Sequence, residues 1–130
     1  MFVGGALPGE DVTVTLGEVK RDWARGTVAR LHSTAASRVA PPCPRRIEGC
    51  GGCDWQHLAV AEQLPAKVGI VVDALRRTAR LANPRIRTGA AVPPTGYRTT
   101  IRVVGDDGEH ASYRRERSHD TVHASGCLIA

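Results

Sequence analysis

Three of the four cysteines sit in one short stretch, CPRRIEGCGGCDWQH, as Cys43, Cys50 and Cys53, and the fourth, Cys127, stands near the end of the 130 residues. The spacing C-x6-C-x2-C restricts what such a loop can become. Two thiolates two residues apart can reach one metal ion or two corners of one cluster, and Gly51 and Gly52 remove the Cβ atoms that would crowd the turn. Glycine amides there could also point at sulfur. Cys43 would supply a third ligand and Cys127 a fourth, closing a long chain segment onto the loop.

A chain of this length buries roughly two-thirds of its unfolded surface. The apolar residues are largely Ala and Val, with Phe2, Trp23, Trp55, Tyr97 and Tyr113 the only aromatics. A crosslink or ligand centre would therefore help it hold together. MFVGGALPGED has neither the basic start nor the apolar run of a signal peptide, and no stretch approaches 18 apolar residues, so the reading is cytoplasmic with no membrane partner. A reducing compartment argues against structural disulfides.

Three uses of the thiols remain. A redox C-x-x-C pair needs a strand-to-helix βαβ context that this sequence lacks. A four-cysteine zinc site and a [4Fe-4S] cluster make the same ligand demand, and spacing leaves both open.

The formal net charge is +5, and most of the excess lies between residues 41 and 88, where eight Lys or Arg face four acids. Arg45 and Arg46 fall in the cysteine loop, and Arg76, Arg77 and Arg80 in the segment beyond it. Together they form a candidate RNA footprint, while each arginine alone is adequately explained as solvated surface. Trp55 is a candidate for base stacking and His57 for RNA contact; the plainer readings are shielding of the centre and a local cap. Glu10, Asp54, Asp106, Asp107, Glu109 and Asp120 make no recognisable carboxylate pair or metal motif, and Gly4-Gly5 is no phosphate loop.

VTVTL at 12 to 16 and GTVARL at 26 to 31 read as strands, either a small hairpin or the later part of a barrel. Residues 32 to 56 read as loop. Val68, Val71, Val72, Leu75 and Ala79 predict an amphipathic helix, with Pro65 in its first turn or breaking it from a shorter helix over 57 to 63. YRTTIRVV and HASYRR around GDDG predict a hairpin, with a further strand at 120 to 124.

Cys43, Cys50-Gly51-Gly52-Cys53 and Asp54-Trp55-Gln56-His57, followed by Gln63 and Lys67, resemble the cluster-binding region of the SAM-dependent uracil-5-methyltransferases of bacterial 23S rRNA. Phe2-Val3, Gly5-Ala6-Leu7-Pro8-Gly9-Glu10, Arg38-Val39 and Pro42 are similar to the end of that family's TRAM domain. Gly96-Tyr97-Arg98, Tyr113-Arg114-Arg115, Ser118-His119 and Cys127 resemble the start of its central domain.

The resemblance implies a [4Fe-4S] centre on Cys43, Cys50, Cys53 and Cys127, and RNA, in particular 23S rRNA, as partner, with no DNA expected. It also implies that the catalytic cysteine, the glutamate and the SAM-binding loop lie beyond residue 130. SAM would then enter only through a C-terminal domain absent from this chain, and the chain alone would be inactive. The expected architecture is α+β: a partial TRAM-like, RNA-binding β-barrel segment at 1–37, an iron-sulfur loop and helix at 38–88, and the start of the central β-rich domain, carrying the fourth cysteine, at 89–130. The alternative is a nonenzymatic RNA-binding module with structural zinc; a redox protein ranks third.

Overall fold

The computed structural model describes residues 1–106 and 110–130, which separate into two compact units, Met1–Ala40 and Pro41–Ala130. The chain is α+β; among the described residues there are one α-helix and two three-stranded sheets, neither closed into a barrel.

The first unit is one sheet in the order β1-β3-β2, built from β1 (Phe2–Gly4), β2 (Asp11–Val19) and β3 (Ala24–Ser33). Alternating β-branched residues make β2 and β3 an antiparallel pair, with Val14 opposite Val28 and Thr15 opposite Thr27. The predicted strands are present and run longer than expected, and β1 adds a third that pairs parallel with β3. Gly26 is required where β3 crosses β2. A Cβ there would stand 2.6 Å from the Thr15 carbonyl oxygen.

An ion pair closes the unit. Glu10 receives the Leu7 amide at 2.7 Å, the Ala35 amide at 3.2 Å and both arms of Arg38, whose Nη2 also donates to the Gly5 carbonyl at 2.6 Å. This pins the chain after β3 back onto the turn after β1. Its partners cover the Glu10 side chain completely. Hydrogen bonding to Arg38 holds that carboxyl well below the usual range, at about 2, against the opposing effect of burial.

The second unit begins with the cysteine loop, which contains a 3-10 turn at Pro44–Arg46, and continues into α1 (Val60–Thr78). Pro65 neither opens nor breaks this helix, contrary to expectation: it is the sixth helical residue. Its missing N–H leaves only the Ala61 carbonyl without an intrahelical donor, which a long helix tolerates near its start. The amides of Ala79 and Leu81 both return to the Leu75 carbonyl, with Arg80 in the left-handed conformation between them. The helix thus ends with two amides on one carbonyl and a left-handed residue that is not glycine.

β4 (Val104–Asp106), β5 (His110–Arg114) and β6 (Thr121–His123) form an antiparallel meander. The predicted hairpin and following strand are both present. The Asp107–Glu109 part of the GDDG turn lies outside the described residues, and residues 97 to 103 are irregular instead of extending the first strand. Leu58, Val122 and Ile129 are the buried apolar residues of this unit among those described.

Candidate metal centre

Backbone hydrogen bonds fasten the cysteine loop to the end of β5. The Gly51 amide donates to the Arg114 carbonyl at 3.2 Å, the Glu116 amide donates to the Gly49 carbonyl at 3.0 Å, and Cys50 bridges to Arg115. The Gly51 amide is therefore engaged with backbone and does not point at sulfur as the sequence suggested. Its missing Cβ matters for a different reason: one built there would meet Glu116 Cα at 3.0 Å and its nitrogen at 3.1 Å.

Arg45 and Arg46 reinforce the attachment. Arg45 donates to Glu48 at 2.7 Å and to Ser125 Oγ at 3.3 Å, while Arg46 donates to the Cys50 carbonyl at 3.1 Å and faces Glu116 at 3.5 Å. On the other side of the loop, Gln56 accepts the Cys43 amide at 3.3 Å. Gln63 reaches back from α1 to the Trp55 and Leu58 carbonyls, and Lys67 lies over the Trp55 ring.

Cys127 arrives on a second connection. The Gly96 and Arg98 amides donate to the Leu128 and Ile129 carbonyls at 2.8 and 3.0 Å, so the segment after the long Pro/Gly linker is zipped to the residues that follow Cys127. These two attachments bring the cysteines together. Cys43, Cys50, Cys53 and Cys127 line one cavity of about 240 Å³, with Gln56, Arg98 and Tyr113 among its other walls.

The electrostatics of this cavity set Cys127 apart from Cys53. Burial, then the neighbouring Cys127 charge, pushes the Cys53 thiol up. Cys127 is held below its ordinary value despite burial, because Tyr113, the Ile129 and Ala130 amides and Arg98 all favour its thiolate. The Tyr113 hydroxyl is buried and meets no partner at full hydrogen-bond geometry, although it leans on the Cys127 sulfur closely enough to be pushed up to about 12. The sulfur it faces accepts a hydrogen bond best as a thiolate, the form in which cysteine binds metal.

Among the described residues, no group of three or more His, Cys, Asp or Glu side chains closes on a single point to hold one metal ion. The four cysteines are among the residues that line the cavity.

The other sequence candidates fall elsewhere. Arg76, on α1, donates to the Ala82 carbonyl at 3.3 Å, Arg77 pairs with Asp73 one turn back, and Arg80 is exposed at the helix end. His57 is engaged in contacts of its own. Sequence reasoning did not assign site roles to Gln56, Arg98 or Tyr113. All three belong to segments that carry the resemblance; Arg98 reaches the cavity through the zipper to residues 128 and 129, and Tyr113 through β5.

No helix among the described residues is long and apolar enough to cross a membrane. No protein-family profile matches the chain. It is 34% identical over 128 residues to an uncharacterised RNA methyltransferase of Corynebacterium efficiens, and 36% identical over 136 residues to another from Enterococcus faecalis. It is also 32% identical over 134 residues to the 23S rRNA (uracil(1939)-C(5))-methyltransferase of Shewanella halifaxensis. These alignments take in 98 to 99% of the chain but only 29 to 30% of each relative. Over nearly its whole length, the chain is thus a homologue of proteins named RNA methyltransferases, and it spans less than a third of theirs.

Proposed function

We propose that these residues form the RNA-recognising, cluster-bearing part of an rRNA uracil-5-methyltransferase, with Cys43, Cys50, Cys53 and Cys127 holding a [4Fe-4S] centre. The arrangement of all four cysteines around one cavity carries this reading. A tetrahedral zinc site would draw its sulfurs to within about 3.8 Å of each other. A cubane spreads its thiolates around a body several ångströms across; the cavity alone fits either group, and the resemblance of the Cys50–His57 block to a cluster-binding region supports the cubane. The cluster would tie the loop to the residues around Cys127 and so order the unit.

In this reading residues 1–37 are the TRAM-like segment, 38–88 the cluster loop and helix, and 89–130 the start of the central domain. RNA, with 23S rRNA the preferred class, would meet the exposed arginines of α1, Arg76, Arg77 and Arg80, and the Trp55 face. Arg45 and Arg46 each use part of the guanidinium within the second unit and would contribute chiefly charge. Methylation at C5 of uracil needs a nucleophile at C6, a base for the C5 proton and a methyl donor. With four cysteines committed as ligands none remains to attack, so the nucleophile and the SAM site would be supplied by residues other than these.

An anaerobically prepared sample should contain about four irons and four sulfides per chain. One zinc without sulfide would overturn the cluster. The loaded chain should bind 23S rRNA hairpins in a salt-sensitive manner and transfer no methyl group from labelled SAM. Methyl transfer by the chain alone would overturn the division of labour, and absence of binding at low salt would overturn the RNA role.

A further inference from the structure

A second cluster, in the first unit, is used by none of the chemistry above. Phe2 on β1 and Arg25 on β3 are paired positions of the parallel ladder, so their side chains emerge side by side on one face of the sheet. Trp23 stands just before β3, where its carbonyl accepts the Lys20 amide at 2.8 Å and fixes the β2–β3 turn. The Phe2 and Trp23 rings meet edge to face at 6.5 Å. The Arg25 guanidinium lies 5.2 Å from the Trp23 ring and 5.9 Å from the Phe2 ring.

Two properties set this trio apart from ordinary packing. Phe2 keeps 64% of its surface exposed, although it sits in a ladder and against another aromatic ring. Arg25 is matched to no carboxylate among the described residues, and its Nε is buried without a hydrogen-bond partner. By contrast, Lys20 and Arg21 in the adjacent turn face Glu18 and Asp22. The hairpin has neutralised its turn cations and left the stacked one uncompensated.

An exposed aromatic face beside an uncompensated guanidinium is the chemistry that holds an unpaired nucleotide. The base stacks on the ring and the phosphate meets the cation. We propose that Phe2, Trp23 and Arg25 form a stacking platform for an unpaired base of single-stranded RNA. The proposal rests on the RNA-binding reading given above and extends it to a site that neither the cysteine loop nor α1 contains.

The test is the affinity of the full, centre-loaded chain for a fluorescent oligouridine and for a duplex RNA of equal length. Phe2→Leu keeps apolar bulk without the π face, and Arg25→Lys keeps the charge without the planar stack. Each should weaken oligouridine binding roughly tenfold, the scale of one base stack, and leave duplex binding unchanged. Far-ultraviolet circular dichroism should show an intact sheet in both variants. If Phe2→Leu fails to fold, Arg25→Lys alone decides. Unchanged oligouridine affinity in folded variants would overturn the platform while RNA binding stands. No binding by the unmodified chain at low salt would overturn both. A monomer–dimer shift on Phe2→Leu with oligouridine affinity unaltered would also overturn it, by identifying the face as a self-contact.

Discussion

The two units order their chains in different ways. Residues 1–40 hold themselves by a long ladder, with nine- and ten-residue strands paired along most of their length, and by one fully covered carboxylate that ties the turn after β1 to the chain after β3. Residues 41–130 have strands of three to five residues, a helix with no buried side chain, and a loop whose attachments converge on a cavity ringed by thiols. Order in the first is carried by pairings that the chain supplies entirely. In the second the pairings bring four ligands to one place, and the proposed centre would supply the closing contact.

Cys127→Ser should separate the units most sharply. If a centre closes the second unit, losing one ligand removes a contribution on the order of 10 kcal/mol to folding. Protease should then cut within 41–130 while 1–40 survives, and iron and sulfide content should fall together. Equal resistance of 41–130 with and without Cys127 would break the comparison, because the second unit would then be as self-sufficient as the first.

Glu10→Gln probes the first unit, with an expected loss of about 2 kcal/mol, the scale of a charge-assisted hydrogen-bond set. The pH dependence gives the sign. The folded carboxyl titrates at about 2 against an ordinary 4.5, so its stabilisation is fully present above about 4.5 and is lost as pH falls towards 2. The first unit should soften across that acid window, and Glu10→Gln should flatten the response. Acid melts followed by Trp23 fluorescence in a Trp55→Phe background check this. A response of the same slope in the variant would mean that some other group carries it.

The sequence disclosed these two designs unequally. Alternation in VTVTL and GTVARL was enough for β2 and β3, and GDDG between β-compatible runs was enough for the β4–β5 hairpin, because ladder pairing follows from local pattern. Glu10 and Arg38 stand in the TRAM-like resemblance, but nothing in the sequence shows that they pair. The partners of Glu10 are Leu7, nearby, and Ala35 and Arg38, some 25 residues on, and only the path of β3 brings them together. Pro65 misled because a proline in a helix costs one hydrogen bond near the N-terminus and much more in the middle, a distinction that needs the true helix start. The cysteines stood out by type and spacing. Tyr113 and Arg98 did not, since an ordinary tyrosine and arginine become site residues only through long-range pairing, β5 with β6 for the first and the backbone zipper to Leu128 and Ile129 for the second.

Gly51→Ala sharpens the comparison inside the second unit. The new methyl would press on the Glu116 backbone, which has no flexible end to yield. A cost of about 1–3 kcal/mol is expected, the range for overpacking a close approach. Denaturant melts of the centre-loaded chain should show the loss, with hydrogen exchange rising at the Gly51 and Glu116 amides. Full protection at both amides would show that the loop is not fastened to β5 at this point.

The smallest effect concerns the arginines, and it separates holding the loop from binding RNA. Arg45 and Arg46 are half-buried, but their acidic partners Glu48 and Glu116 are more than two-fifths exposed, so each pair is worth no more than about 1 kcal/mol. Their guanidiniums are also engaged by Ser125 Oγ and the Cys50 carbonyl. Replacing both with Ala should therefore lower the stability of the second unit slightly and leave the salt dependence of RNA affinity nearly unchanged. Replacing Arg76, Arg77 and Arg80 should do the reverse: little change in stability, and a logarithmic salt slope flatter by roughly one unit at most for each phosphate left without its cation. Arg77 would contribute least, because Asp73 already competes for it. If instead the Arg45 and Arg46 replacement flattens the slope and the helix triple does not, the RNA face lies on the cysteine loop, and the loop's internal ion pairs open on binding.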